Sequence, residues 1–289
     1  MVRYSKAPFR MLVQNHGVDL SFSPMILADS FIASPKARAI DLPIVLDERK
    51  DKLVVQFATN QPNNFGTAVG MVKEWCGGVD LNCGCPQRWA REEGIGSALL
   101  QKPELVAEII RKGVEASSGQ VTISAKLRIV NDSTEDTVEL ARRLEVMGAS
   151  WVTLHGRTPK ASANSPVQFD VIRDVKQSLR IPLYANGGVY TLDDAISMYE
   201  RTGADGIMSA QGLLENPALF SGSSCTWPVV QEFLELGLSY PGALTTPIFM
   251  RHLFWMTEKL LQPWERKLFH SLSTICAAVD FMRERGYIS

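Results

Sequence analysis

The chain has 289 residues, 45% of them hydrophobic, which is enough to bury the core of one large domain and a small second one. Its 30 basic and 31 acidic side chains leave a net charge of −1, which excludes binding of nucleic acid through an overall positive field and restricts any RNA partner to a local patch. Five cysteines without a repeated pair argue against a disulfide framework, and no apolar run is long enough to cross a membrane, so we expect a cytoplasmic or nuclear protein.

Apolar periodicity predicts an alternation of helices and strands over most of the chain. Strands are predicted at 18–23, 53–58, 79–83, 121–126, 151–154, 181–185 and 206–208. Helices are predicted at 5–15, 35–40, 63–76, 103–116, 135–147, 167–177 and 192–201. Such alternation favours parallel strands joined by right-handed helical crossovers.

The alternation ends near Gln211 after seven predicted strands, whereas the commonest closed barrel of this kind has eight. We therefore predict that residues 1–243 form a (β/α)8 TIM barrel, of the α/β class, that lacks its first strand. That strand would lie upstream of Met1. A seven-stranded or doubly wound sheet is the alternative.

The segment 244–289 shows helical spacing and predicts a small C-terminal helical domain. Its first helix carries Phe249 on the inward face and is broken by Pro263, and a second helix is predicted over 265–285, with Leu268 buried. Basic and acidic residues are mixed along both helices. Because this mixture is typical of solvated helix faces, charge alone predicts no RNA binding here.

A cysteine follows the third predicted strand, in the run Asp80-Leu-Asn-Cys-Gly-Cys-Pro-Gln-Arg88. Gly84 and Pro86 force the chain out of the strand, so Cys85 is expected on a loop at the carboxyl end, where barrels of this class carry their chemistry. A free cysteine is often only a small buried hydrophobe, but a turn between glycine and proline is a poor place to fill a core. Cys83 and Cys85 lack a second pair of ligands, so no metal site is predicted.

Polar side chains also stand at or near the ends of five predicted strands, where we expect them to line one pocket with Cys85. They are Gln56, Asn82, Lys126, His155 and Asn186. Buried polar groups are costly unless they have partners, which argues against a packing role for all five. Two alternatives stay open: Lys126 could extend its ammonium to solvent, and His155 could be an ordinary core histidine.

Three loops suggest a phosphate site. His155-Gly156-Arg157-Thr158 presents a histidine and an arginine at a strand exit, which suits a phosphate or sugar ligand. Glycines in Asn186-Gly187-Gly188 and Ala210-Gln211-Gly212 follow the last two strands, where this barrel class commonly binds phosphate through backbone N–H groups.

These segments together carry a resemblance to a known family. The chain resembles the tRNA-dihydrouridine synthases, and among them the eukaryotic branch that acts at D-loop positions 20a and 20b. The resemblance runs over nearly the whole chain and is most specific in the Asn-Cys-Gly-Cys-Pro-Gln-Arg-Trp run. The segments that carry it are Met1–Lys6, Asp80–Ala90, Ser124–Arg128, His155–Thr158, Asn186–Gly188 and Gly212–Pro217.

The resemblance implies an FMN-dependent oxidoreductase that reduces uridine in tRNA to 5,6-dihydrouridine, with NADPH reducing the flavin and residues 244–289 gripping the tRNA. The hydride would come from reduced FMN and the proton from Cys85, since an ordinary thiol is protonated at neutral pH. A stacked uridine would first be drawn out of the tRNA. Neither a membrane nor a stable protein partner is implied. Arg88, Arg91 and Arg157 are the candidate RNA contacts, and the residues assigned to the cofactor are Met1, Val2, Gln56, Lys126, His155, Asn186, Gly187, Gly188, Ala210 and Gln211.

The chain departs from the family pattern at three places. Nothing here corresponds to the Ala-Pro that precedes the Met1 equivalent on a first strand, Gly188 replaces a usual Asp, and Gln211 replaces a usual Arg. These departures raise an alternative from another class, a catalytically weak or inactive relative that binds tRNA. A third hypothesis is a flavin barrel that reduces a free pyrimidine.

Overall fold

The computed structural model describes residues 3–43, 48–240 and 242–289. Within these ranges the strands are β1 (Ser21–Phe22), β2 (Ile26–Leu27), β3 (Leu53–Ala58), β4 (Gly78–Asn82), β5 (Thr122–Arg128), β6 (Trp151–His155), β7 (Leu183–Asn186) and β8 (Gly206–Met208). The helices are α1 (Ala7–Asn15), α2 (Ala28–Ala33), α3 (Pro35–Asp41), α4 (Pro62–Val72), α5 (Arg88–Glu92), α6 (Pro103–Ser117), α7 (Thr134–Val146), α8 (Phe169–Ser178), α9 (Leu192–Thr202), α10 (Gln211–Glu215), α11 (Trp227–Ser239), α12 (Thr246–Thr257), α13 (Pro263–Phe269) and α14 (Ile275–Glu284).

All strand pairs of the sheet are parallel, in the order β1-β3-β4-β5-β6-β7-β8. β2 also pairs with β3, so β1 and β2 share one position, and they are separated around Pro24, which has no N–H to donate. In the described ranges β1 and β8 are not paired with each other, and the sheet is open between them. The predicted α/β barrel fold is confirmed, and the described residues supply seven strand positions of its sheet.

Sequence periodicity placed most barrel elements but failed in the C-terminal segment. The single helix predicted over 265–285 is wrong, because α13 ends at Phe269 and α14 begins anew after Thr274, whose side chain accepts a hydrogen bond from the Ala277 N–H. Leu268, predicted as buried, is 45% exposed. Helices α2, α5, α10 and α11 were not predicted. No helix in the described part of the chain is both long and apolar enough to cross a lipid bilayer.

The two faces of the barrel strands differ in chemistry. Val55, Phe57, Val79 and Leu81 are fully buried on the outward face and belong to one apolar core with the helices. Interiors of TIM barrels are usually filled by branched apolar side chains. Here many of the alternate, inward positions are polar instead, among them Gln56, Asp80, Asn82, Ser124, Lys126, Thr153, His155 and Asn186.

Helix α12 is joined to the start of the chain by a buried histidine. His252 is fully buried, and its Nε2 lies 2.9 Å from the Tyr4 carbonyl oxygen, so Nε2–H donates and Nδ1 is unprotonated. Its ring contacts Phe9 of α1 and Phe233 of α11. Burial lowers the pKa of His252 to about 4. The α12 helix thus packs onto the barrel, and the division into domains at residue 243 stays a prediction.

We expect His252 to weaken the fold in mild acid. Between pH 6.5 and 4 the unfolded chain binds a proton on this histidine that the folded chain does not, so the free energy of unfolding falls as the pH falls, by about 2 kcal/mol at pH 5 relative to neutral pH. Urea unfolding at pH 7.5 and 5.0 measures this loss. His252→Gln, which keeps a donor for Tyr4, should remove about that much of the pH dependence. Equal pH dependence in His252→Gln and the parent protein would contradict the assignment.

Candidate active site at the mouth of the barrel

One cavity of about 1230 Å³ lies at the carboxyl ends of the strands. It brings together every cavity residue predicted from the sequence within the described ranges, namely Gln56, Asn82, Cys85, Lys126, His155, Asn186, Gly187, Gly188, Ala210 and Gln211. Arg157, predicted as an RNA contact, lines the same cavity. Met1 and Val2 lie outside the described residues. Arg88 and Arg91 do not line the cavity but are exposed on the short helix α5, directly after the cysteine loop.

The cysteine loop, residues 83–87, is fixed by hydrogen bonds from both sides. Asn82 Oδ1 accepts from the backbone N–H of Gly84 at 3.1 Å and of Cys85 at 2.9 Å. The Cys85 carbonyl accepts from the Ser97 N–H at 2.9 Å. Gly96 beside it has φ +61°, and a Cβ there would lie 2.8 Å from the Cys85 oxygen. The half-buried Cys85 side chain is therefore held at the cavity wall.

Below the loop, a buried chain of side chains links three strands. Asp80 of β4 is fully buried and accepts hydrogen bonds from Ser124 Oγ at 2.7 Å and from Gln56 Nε2 at 2.8 Å. Gln56 Oε1 in turn accepts from Asn82 Nδ2 at 2.9 Å. Burial raises the pKa of Asp80 to about 6, against the opposing effects of these hydrogen bonds and the Lys126 charge.

Lys126 provides a cation in the cavity wall. Its Nζ donates to Asn186 Oδ1 at 2.7 Å, while Asn186 Nδ2 donates to the Met208 carbonyl at 2.8 Å, which fixes the orientation of that amide. Burial and the neighbouring Arg128 lower the pKa of Lys126 to about 8, and Asp80 opposes the shift. The side chain is consequently charged for the most part at neutral pH.

His155 is a neutral ring next to this cation. Burial, together with the charges of Lys126, Arg128 and Arg157, lowers its pKa to about 2. Arg157 Nη1 lies 3.3 Å from His155 Nε2, and because a guanidinium only donates, Nε2 accepts and the ring proton is on Nδ1. Gly187, at φ +116°, leaves room for the ring, since a Cβ there would lie 2.7 Å from His155 Cδ2.

Two guanidinium groups at the cavity bond to backbone carbonyl groups. Arg128 Nε donates to the Gly84 carbonyl at 2.9 Å and Nη1 to the Thr158 carbonyl at 3.0 Å. Arg157 Nε donates to the Ser165 carbonyl at 2.6 Å. Within the described ranges neither pairs with a carboxylate. Such a cluster of cations suits an anionic ligand, and a phosphate group has the matching chemistry.

Three residues of the site had no role in the sequence-based prediction: Asp80, Ser124 and Arg128. All were visible as polar residues in apolar strands, two positions from Asn82 or Lys126 and so on the same face. That alternation was the available signal. In the part of the chain that the structure describes, no group of three or more His, Cys, Asp or Glu side chains could hold a metal ion.

Comparisons with known proteins identify the fold and the family. The solved old yellow enzyme homologue from Zymomonas mobilis has a TM-score of 0.55 at 11% identity, covering 81% of this chain and 90% of that one, and shows the shared fold. The "tRNA-dihydrouridine(20a/20b) synthase [NAD(P)+]-like" protein of Mus musculus is 39% identical over 98% of this chain and 86% of its own length. The "tRNA-dihydrouridine(20a/20b) synthase [NAD(P)+]" of Schizosaccharomyces pombe is 40% identical over 92% of this chain and 80% of its own.

The family profile described as dihydrouridine synthase (Dus) matches residues 1–273. This match spans the barrel, the cysteine loop and most of the C-terminal helices. Together with the two relatives, it confirms the resemblance predicted from the sequence motifs: the chain belongs to the dihydrouridine synthase family.

Proposed function

We propose that the protein is an FMN-dependent tRNA-dihydrouridine synthase that reduces a D-loop uridine at position 20a or 20b, with NADPH as the reductant. The observation that carries the proposal is the placement of the Cys85 thiol and the Lys126 ammonium in the wall of one cavity, beside two guanidiniums that bond to backbone carbonyl groups. The names of the relatives supply the substrate class and the nicotinamide reductant.

The volume of the cavity and its donor groups support the binding of a flavin mononucleotide. The flavin ring would contact Lys126 and Gln56. The phosphate would be bound by His155, Arg157 and the backbone of Gly187. A Cβ at Gly187 would collide with the His155 ring, so this backbone approach requires glycine. The neutral imidazole offers its Nδ1–H as a donor, and the two guanidiniums supply positive charge for the phosphate.

The reaction adds a hydride to C6 and a proton to C5 of the uracil ring. Bound FMN, once reduced by NADPH, supplies the hydride. Cys85 gives its thiol proton to C5, and the Asn82 and Ser97 contacts keep the donor at the wall of the cavity. Lys126 would place a positive charge near a bound flavin. Residues 244–289, with Arg88 and Arg91 of α5, hold the tRNA while the uridine leaves its stack.

The alternative of an inactive tRNA-binding relative is not favoured. The described part of the chain retains the thiol, the lysine and the histidine of the proposed chemistry around one cavity. The changes at Gly188 and Gln211 leave backbone donors in place.

Replacing Cys85 by alanine should lower dihydrouridine formation by at least roughly 10²-fold, because a positioned acid typically contributes that much. Flavin reduction by NADPH should continue, since the thiol does not take part in it. Mass-spectrometric mapping of dihydrouridine in transcript tRNA and loss of flavin absorbance under NADPH measure the two steps. Cys276→Ala, on the exposed face of α14, is the matched control. Undiminished product in Cys85→Ala would remove Cys85 from its role.

A guanidinium at position 211 should tighten flavin binding. Gln211 lines the cavity and donates to Glu215 at 3.1 Å. Gln211→Arg adds a positive charge near the phosphate loops, and we expect the dissociation constant for FMN to fall by about tenfold. Fluorescence titration of FMN with the flavin-free protein measures this. Gln120→Arg, on an exposed loop before β5, controls for the change in net charge, and equal affinities in the two variants would contradict the phosphate assignment.

Arg88 and Arg91 should contribute to tRNA affinity without affecting the flavin. The double change Arg88→Ala/Arg91→Ala should weaken tRNA binding several-fold. It should also make the slope of the logarithm of the binding constant against the logarithm of the salt concentration shallower by about 1 to 2. Filter binding between 50 and 200 mM salt measures the slope. Arg142→Ala/Arg180→Ala, which removes two exposed arginines away from the mouth, is the control pair. An unchanged slope in the α5 variant would exclude these phosphate contacts.

A further inference from the structure

The buried chain from Asp80 to the cysteine loop has a fixed direction. At one end, the ionised Asp80 carboxylate only accepts hydrogen bonds. At the other end, the backbone N–H groups of Gly84 and Cys85 only donate. The two amide side chains between them, Gln56 and Asn82, each have one donating and one accepting end. Only one orientation of each amide satisfies all links at once.

This direction matters because an amide is nearly symmetric in shape and can turn over. If Gln56 turned over, its Nε2 would face the Asn82 Nδ2, and two donors would meet. Asn82 would then turn over too, and its Nδ2 would face the N–H groups of Gly84 and Cys85. The loop would lose the acceptor that holds it. Asp80 prevents this sequence because its carboxylate fixes Nε2 of Gln56 at 2.8 Å.

We propose that Asp80 is a positioning residue for the proton-donating loop, acting through Gln56 and Asn82 by means of its hydrogen-bond acceptor. Asp80 itself does not line the cavity and touches neither the thiol nor the space beside it. The inference rests on the proposed function only for the role of Cys85 as the acid. The geometric part, that Asp80 holds the loop, is independent of any reaction.

Two substitutions of similar volume separate the acceptor from the charge. Asp80→Asn and Asp80→Leu both remove the negative charge near Lys126. The asparagine side chain keeps an acceptor for Gln56, because its amide nitrogen finds an acceptor in the Ser124 hydroxyl oxygen. The leucine side chain offers none. A difference in loop stability between the two variants is therefore due to the hydrogen-bond acceptor for Gln56 and not to the charge.

Hydrogen exchange of the Gly84 and Cys85 amides, followed by mass spectrometry on the purified full chain, measures directly how well the hydrogen bonds of the loop are held. In Asp80→Leu we expect these amides to exchange at least tenfold faster than in the parent protein, and in Asp80→Asn within about threefold of it. Amides of β6, such as that of Val152, should be unchanged in both and show that the barrel stays folded. Dihydrouridine formation should fall in Asp80→Leu more than in Asp80→Asn.

Gln56→Met is the second variant and keeps the test decisive if Asp80→Leu does not fold. It leaves Asp80 in place but breaks the next link, so the same two amides should exchange at least tenfold faster. Parental exchange rates in Gln56→Met or in a folded Asp80→Leu would overturn the proposal, and so would equal acceleration in Asp80→Leu and Asp80→Asn. If Cys85→Ala retained activity while these exchange rates behaved as expected, the role of Cys85 as the acid would be excluded. The positioning of the loop by Asp80 would still be supported.

Discussion

The upper half of the barrel depends on the burial of one carboxylate. Asp80 is removed from water entirely, which raises its pKa to about 6 and would be unfavourable without partners. Its partners come from the strands on both sides, Gln56 on β3 and Ser124 on β5, at positions paired with it in the sheet register. The strand register brings these three side chains together, and their hydrogen bonds in turn stabilise that register. A slip of β4 by one residue would turn Asp80 to the apolar outer face, away from Gln56 and Ser124.

The sequence predicts part of this site, because the periodicity of apolar residues gives the position of each side chain on its strand. Alternation along a strand identifies the face of each residue, and the strand end identifies its height in the barrel, so the gathering of Cys85, Lys126 and His155 around one mouth was predictable. Partners across strands were not. That Lys126 bonds to Asn186, 60 residues further on, depends on the barrel curvature, which no local pattern contains.

The C-terminal segment shows the complementary weakness of sequence reasoning. A spacing of three and four residues runs from Leu268 to Val279, and it favours one long helix. The cap at Thr274 breaks that helix, because a hydroxyl that accepts from the backbone two or three residues on competes with continued helix. In α13, Phe269 packs against Phe254 of α12, whereas its neighbour Leu268 is exposed. The apolar pattern identified helical residues correctly, but not the point at which the chain turns.

The proposed binding of an anion beside an acid depends on an uneven distribution of charge in a nearly neutral protein. Positive charge is concentrated where Lys126, Arg128 and Arg157 meet, and their joint effect, after burial, keeps His155 neutral. A neutral histidine donates without adding to the repulsion among these three cations. Asp80 lies beneath the cluster, and its charge opposes the fall in the Lys126 pKa. Because the same carboxylate also orients the amides under the cysteine loop, the charge of the lysine and the position of the thiol depend on one buried group.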